Sequence, residues 1–107
     1  MKIKTGELVG VALDWAVGTA LKLPAPYWNG GRCAAYSISW RHGGPIIERE
    51  RISPTYSQMS KNWQAAYHEG PQSYLQAGPT PLLAAMRCFV ASRLGDEVDV
   101  PEELVGV

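Results

Sequence analysis

The stretch Gly78-Pro79-Thr80-Pro81-Leu82-Leu83-Ala84-Ala85-Met86-Arg87-Cys88-Phe89-Val90-Ala91-Ser92-Arg93-Leu94-Gly95 decides the fold. The Thr80 hydroxyl suits a helix N-cap, Pro81 fits the first helical position, and Gly95 supplies the freedom a helix exit needs. Between them Leu82, Ala85, Met86, Phe89 and Val90 recur at helical spacing as one apolar stripe. Arg93 falls near the negative end of the helix dipole. Met86 and Phe89 on such a stripe read as core side chains. Downstream, Val98 and Val100 alternate with acids before Pro101, the pattern of a short edge strand.

Working toward the N-terminus, residues 6–22 read as a second helix, with Thr5 as its cap and Leu8, Val11, Ala12, Trp15 and Ala16 at helical spacing. Between the two helices the chain changes character. Residues 24–81 hold seven of the eight prolines, six of the eleven glycines and eight of the nine Trp and Tyr residues. Ala34, Tyr36, Ile38 and Trp40 alternate with small or polar residues, which predicts a strand over 33–40. Gly43-Gly44-Pro45 then reads as a turn, with Ile46-Ile47-Glu48 resuming a strand as a hairpin. Gln58 to His68 reads as a short helix carrying Met59, Trp63, Ala66 and Tyr67 on one side. The sum is a single α+β domain over residues 1–107, a small antiparallel sheet packed against two principal helices with long ordered Gly/Pro/aromatic-rich loops.

Composition narrows function. Ten Lys+Arg balance ten Asp+Glu, so the chain has no excess of cations with which to coat a nucleic-acid backbone nonspecifically or to anchor on a membrane. No segment approaches a membrane span or a signal peptide. The two cysteines, Cys33 and Cys88, have no CxxC partner, so a zinc site and a disulfide framework are not expected. Buried free thiols fit a cytoplasmic protein. The zero net charge hides a separation: residues 24–81 carry a net +2 and residues 95–107 a net −5.

No catalytic constellation emerges. There is no nucleophile elbow, and the two histidines, His42 and His68, form no metal motif. No catalytic residue, metal ligand or cofactor is therefore assigned. Glu48-Arg49-Glu50-Arg51 alternates in sign. On a strand it would be either a solvated edge that resists aggregation or a pair of guanidinium forks facing an anion. Gly30-Gly31-Arg32, Arg41-His42-Gly43-Gly44 and Gly78-Pro79-Thr80 could each offer backbone N–H groups to an anion. Aromatics beside Arg and Gly match the needs of a nucleobase-and-phosphate pocket, and equally those of a small core or an oligomer interface.

Trp40, Gly43-Gly44-Pro45-Ile46-Ile47-Glu48-Arg49-Glu50, Trp63-Gln64-Ala65, Gly78 to Ser92 and Leu94-Gly95-Asp96-Glu97-Val98 together resemble the NinX-like small proteins of temperate phages. Ala12-Leu13-Asp14-Trp15-Ala16-Val17 resembles that family's opening helix. The resemblance implies a phage setting in a bacterial host without specifying an activity. By analogy with other small phage proteins, it suggests a non-catalytic counter-defence sponge, a homo-oligomer that sequesters a cyclic-nucleotide or ADP-ribose-type immune signal. The candidate ligand-binding residues are Trp40 and Trp63 for stacking, Arg49 and Arg51 for phosphate, Gly43, Gly44 and Thr80 for backbone or hydroxyl contacts, and Glu48 for ribose. The alternatives are a protein inhibitor of a host enzyme or defence protein, and a nucleotide-cleaving enzyme using His42 or His68.

Overall fold

A computed structural model describes residues 1–23 and 34–105. In order, the elements are β1 (Lys2–Lys4), a 3-10 turn at Thr5–Glu7, α1 (Gly10–Ala20), α2 (Trp40–Glu50), β2 (Ser53–Ser57), β3 (Asn62–Glu69), β4 (Gln72–Gly78), α3 (Pro81–Leu94), β5 (Glu97–Asp99) and a 3-10 turn at Glu102–Leu104. The class is α+β as expected, with a third helix and two antiparallel sheets, β1-β5 and β2-β3-β4.

α3 is the axis of the molecule. The Thr80 hydroxyl accepts a hydrogen bond from the Leu83 N–H at 3.1 Å, and Gly95 leaves the helix at φ 91°, as the capping residues predict. Its burial exceeds one stripe, because every residue from Leu82 to Ala91 is buried. The helix is covered by β3 and β4, by α1 and by α2. Arg87 survives inside this shell because its Nε donates to the Leu8 carbonyl at 2.9 Å and its Nη1 to the Ala77 carbonyl at 2.7 Å. The alternation at Val98 does form a strand, β5, paired with β1 through Ile3↔Val98 between the opposite-charge pairs Lys2↔Asp99 and Lys4↔Glu97.

Five sequence expectations change. The first helix begins at Gly10 rather than residue 6, because Gly10 stands at φ 57° and no right-handed helix runs through that conformation. Thr5 is a buried tie, not a cap: its hydroxyl donates to the Gly95 carbonyl and its N–H to the Asp96 carbonyl. The strand over 33–40 is absent in its described part. Residues 36–38 form a turn, Trp40 opens α2, and Cys33 lies outside the described residues.

Gly43-Gly44-Pro45 and the strand after it are instead the body of α2. Gly43, Ile46, Ile47 and Glu50 share one helical face, with Gly43 and Ile46 buried. A Cβ on Gly43 would sit 2.5 Å from the Tyr36 carbonyl oxygen and 2.6 Å from Leu82 Cδ1, so close approach to α3, not turn geometry, calls for glycine there. Lastly, the helix expected over Gln58 to His68 is a turn followed by β3, whose Trp63, Ala65 and Tyr67 face α3 at period two.

Candidate binding site

The turn before α2 and the cap before α3 meet at one surface. Ser37, Ile38, Trp40, Thr80, Leu82 and Leu83 line a shallow hollow of about 220 Å³. Its rim is apolar and open, with Ile38 79% and Trp40 54% exposed. Two helix N-termini open on it. At α3 the Thr80 hydroxyl accepts from Leu83, which leaves its own O–H free to donate. At α2 no side chain caps the backbone, and the Ser39 hydroxyl lies 3.1 Å from His42 Nδ1 instead. Both helix starts carry positive partial charge.

Burial holds the rim in place. Asp14, on the inward side of α1, accepts the Ser37 N–H at 2.8 Å. Burial raises its pKa above the ordinary aspartate value, while hydrogen bonding from Ser37 and the charge of His42 pull it back. Tyr36, next in the turn, is buried and meets His42 edge-on at 6.3 Å. Tyr36 and Ser37, immediately before Ile38, are thus anchored inside while Ile38 projects outward.

The eight residues singled out in the sequence divide between separate places. Trp40 and Thr80 line the hollow, and Gly44 lies beneath the indole, where a Cβ would sit 3.6 Å from Trp40 Cε3. Gly43 is closed off beneath Tyr36 and Leu82. Glu48, Arg49 and Arg51 stand at the opposite end of α2, about 14 Å along the axis from Trp40 to Arg49 at 1.5 Å per residue. The helix also dissolves the two-sided strand pattern. Arg49 Nε pairs with Glu50 Oε2 at 2.8 Å, Glu48 is exposed, and Arg51 is the left-handed residue that closes α2 at φ 59°. Trp63 packs against the core from β3, edge-on to Tyr56 at 5.4 Å.

Around Glu50 the charges serve packing. Glu50 Oε1 accepts from Arg93 Nη2 and from the Tyr67 hydroxyl, both at 2.9 Å. Arg93 also reaches Glu69 at 2.8 Å and lies over the Phe89 ring at 5.0 Å. Burial would raise the Glu50 pKa, but Arg49, Tyr67 and Arg93 together hold it below the usual glutamate value.

Each histidine meets a serine hydroxyl: His42 Nδ1 lies 3.1 Å from Ser39 Oγ, with Tyr36 edge-on to its ring, and His68 Nδ1 lies 3.0 Å from Ser73 Oγ. Cys88 is buried with Sγ 3.3 Å from the Tyr74 carbonyl, and burial pushes its thiol up to about 11. Among the described residues no cluster of three or more His, Cys, Asp or Glu could hold a metal, and no helix is long and apolar enough to cross a membrane. The sequence reading missed Ile38 as a surface feature, the buried Leu82 and Leu83 as part of the hollow's lining and Asp14 as the anchor. A lone acid inside the apolar helix Val11 to Ala20 was the available signal for Asp14.

The family model for bacteriophage P22 NinX matches residues 4–93. This chain belongs to the P22 NinX family. The match runs from β1 to Arg93 near the end of α3, so every residue lining the hollow of this NinX-family protein lies inside it. No curated protein matches the chain. Family membership places it among phage proteins, and its geometry must supply the rest.

Proposed function

We propose that this phage accessory protein acts in the host cytoplasm by binding, without turnover, as a counter-defence sponge for a nucleotide-type immune signal, a cyclic nucleotide or ADP-ribose derivative. The observation that carries the reading is the open Trp40 indole beside the Thr80 hydroxyl and the starts of α2 and α3. An aromatic ring takes a base by stacking, and a helix start with a free hydroxyl takes a phosphate. Arg41, exposed next to Trp40, adds the nearest cation in sequence. At about 220 Å³ the hollow falls below the ~300–1,000 Å³ of sites that enclose whole small molecules. It fits one ring, with the phosphate lying across the helix starts. The site therefore narrows to Trp40, Gly44 and Thr80 and leaves Arg49 and Arg51 aside.

The exposure of Ile38 beside Trp40 favours a second reading, in which the same surface docks on a host enzyme or defence protein. One experiment separates the readings. The purified protein is incubated with a panel of cyclic nucleotides and ADP-ribose derivatives, washed and heat-denatured, and the released compounds are analysed. Intact nucleotide recovered from wild type and lost with Trp40→Ala is expected. Altered nucleotide would overturn the non-catalytic reading, and no uptake of any compound would overturn the sponge.

A further inference from the structure

The hollow has one feature that its shape does not explain. Ser37, 2% exposed and part of the lining, gives its N–H to Asp14 at 2.8 Å, yet its hydroxyl has no hydrogen-bond partner among the described residues. Buried polar groups are nearly always paired, so an orphan hydroxyl marks a contact that water, an ion or a ligand completes. The Thr80 hydroxyl, which accepts from Leu83, has its own proton to give at the same surface. The positive charge on offer is partial. The starts of α2 and α3 are each equivalent to about half an elementary charge, roughly one between them. No Lys or Arg is among the described lining residues, and the side chain behind Ser37 is an acid, Asp14. Arg41 is exposed and lies outside the lining.

We propose that the hollow selects nucleotides whose phosphate is a singly charged diester, with Ser37 Oγ and Thr80 Oγ donating to it, and rejects terminal phosphate monoesters. The proposal rests on the nucleotide reading of this site and names the charge state that it takes. A phosphodiester carries one negative charge, which the two helix starts match. A monoester carries about −1.5 to −2 at pH 7. Its surplus charge would enter beside Asp14 with no side-chain cation to meet it, and desolvating an unmatched charge is costly. A cyclic nucleotide is therefore held, and its ring-opened monoester is released.

Isothermal titration calorimetry of the full chain with cyclic AMP, AMP and adenosine 5′-methylphosphate tests this. All three share a base and a ribose, and the last is an open-chain diester with the single charge of cyclic AMP. The two diesters are expected to bind with similar dissociation constants, and AMP about tenfold more weakly or worse. Ser37→Ala should weaken cyclic AMP binding about tenfold, the loss of one hydrogen bond to a charged group, while Tm holds or rises because an unpaired buried hydroxyl is gone. AMP bound as tightly as cyclic AMP, or Ser37→Ala binding cyclic AMP like wild type, would overturn the inference and leave nucleotide capture standing. No binding of any of the three would also overturn it, and nucleotide recovered in the capture experiment then shows that the sponge reading survives without it.

Discussion

Substituting the adjacent glycines of α2 should move stability in opposite directions. In a helix interior, replacing glycine by alanine gains about 1 kcal/mol from reduced backbone freedom in the unfolded chain. At Gly44 nothing opposes that gain, since the new Cβ would meet Trp40 Cε3 at an ordinary 3.6 Å. At Gly43 the Cβ would lie 2.5 Å from a backbone carbonyl, Tyr36 O, and 2.6 Å from Leu82 Cδ1. The carbonyl belongs to the turn that Asp14 holds, so α2 itself must move off α3. Overpacking of this kind costs about 3 kcal/mol, the upper end of its usual range, which leaves a net loss of about 2 kcal/mol. At roughly 4 °C per kcal/mol for a domain of this size, Gly43→Ala should lower Tm by about 8 °C and Gly44→Ala should raise it by about 4 °C. Differential scanning calorimetry reads both. If Gly43→Ala is neutral or stabilising, the close packing of α2 on α3 is wrong. If Gly44→Ala destabilises as much as Gly43→Ala, the segment is the turn that its Gly-Gly-Pro sequence suggests.

Other expectations follow from the buried polar groups. The folded-state pKa of Asp14 lies above 3.8, so its contribution is present while it is protonated and is lost as pH rises from 3.8 through the raised value. Asp14→Asn keeps an acceptor for Ser37 N–H, so chemical denaturation should find it no less stable than wild type at pH 7, with the stability difference closing in acid; a mutant weaker at pH 7 than at pH 3.5 would contradict this. Glu50 has the opposite sign, its contribution being present above 4.5 and lost as pH falls through the lowered value. Glu50→Gln should cost about 1–2 kcal/mol at pH 7, a deficit that shrinks in acid, and a deficit constant with pH would count against the ion pairs. Cys88, with its thiol near 11, should resist iodoacetamide at pH 8 in the folded protein and react fully in denaturant, as read by peptide mapping; rapid labelling of the native protein would show that the α3 face is open.

What the sequence made legible depended on whether local chemistry or packing controlled each element. Thr80, Pro81 and Gly95 fix the ends of α3 through their own backbone and hydroxyl chemistry, so the helix is readable without its surroundings. The identity of α2 is not local. Gly-Gly-Pro favours a turn, and the segment is helical because Gly43 lets Ile46 reach the core against α3. Trp63, Ala66 and Tyr67 fit a helical face, while Trp63, Ala65 and Tyr67 fit a strand. Only pairing of β3 with β2 and β4 chooses between them. The candidate site divides in the same way. Trp40 and Thr80 are visible as an aromatic and a cap, whereas Ile38 is masked by the expected strand, where it is one of several residues on an apolar face. Arg49 and Arg51 belong with Trp40 only in an extended segment, and the helix separates them.

The claim that ligand is held at the Trp40–Thr80 hollow is tested most directly by two-dimensional NMR of the ¹⁵N-labelled protein, titrated with whichever nucleotide it captures. The indole resonance of Trp40, assigned by its loss in Trp40→Phe, and the amides of Thr80 and Leu83 should shift together and saturate at one dissociation constant. The Trp63 indole and the Arg49 and Arg51 side chains should stay in place. Movement of Trp63 and the arginines with Trp40 unmoved would contradict the account.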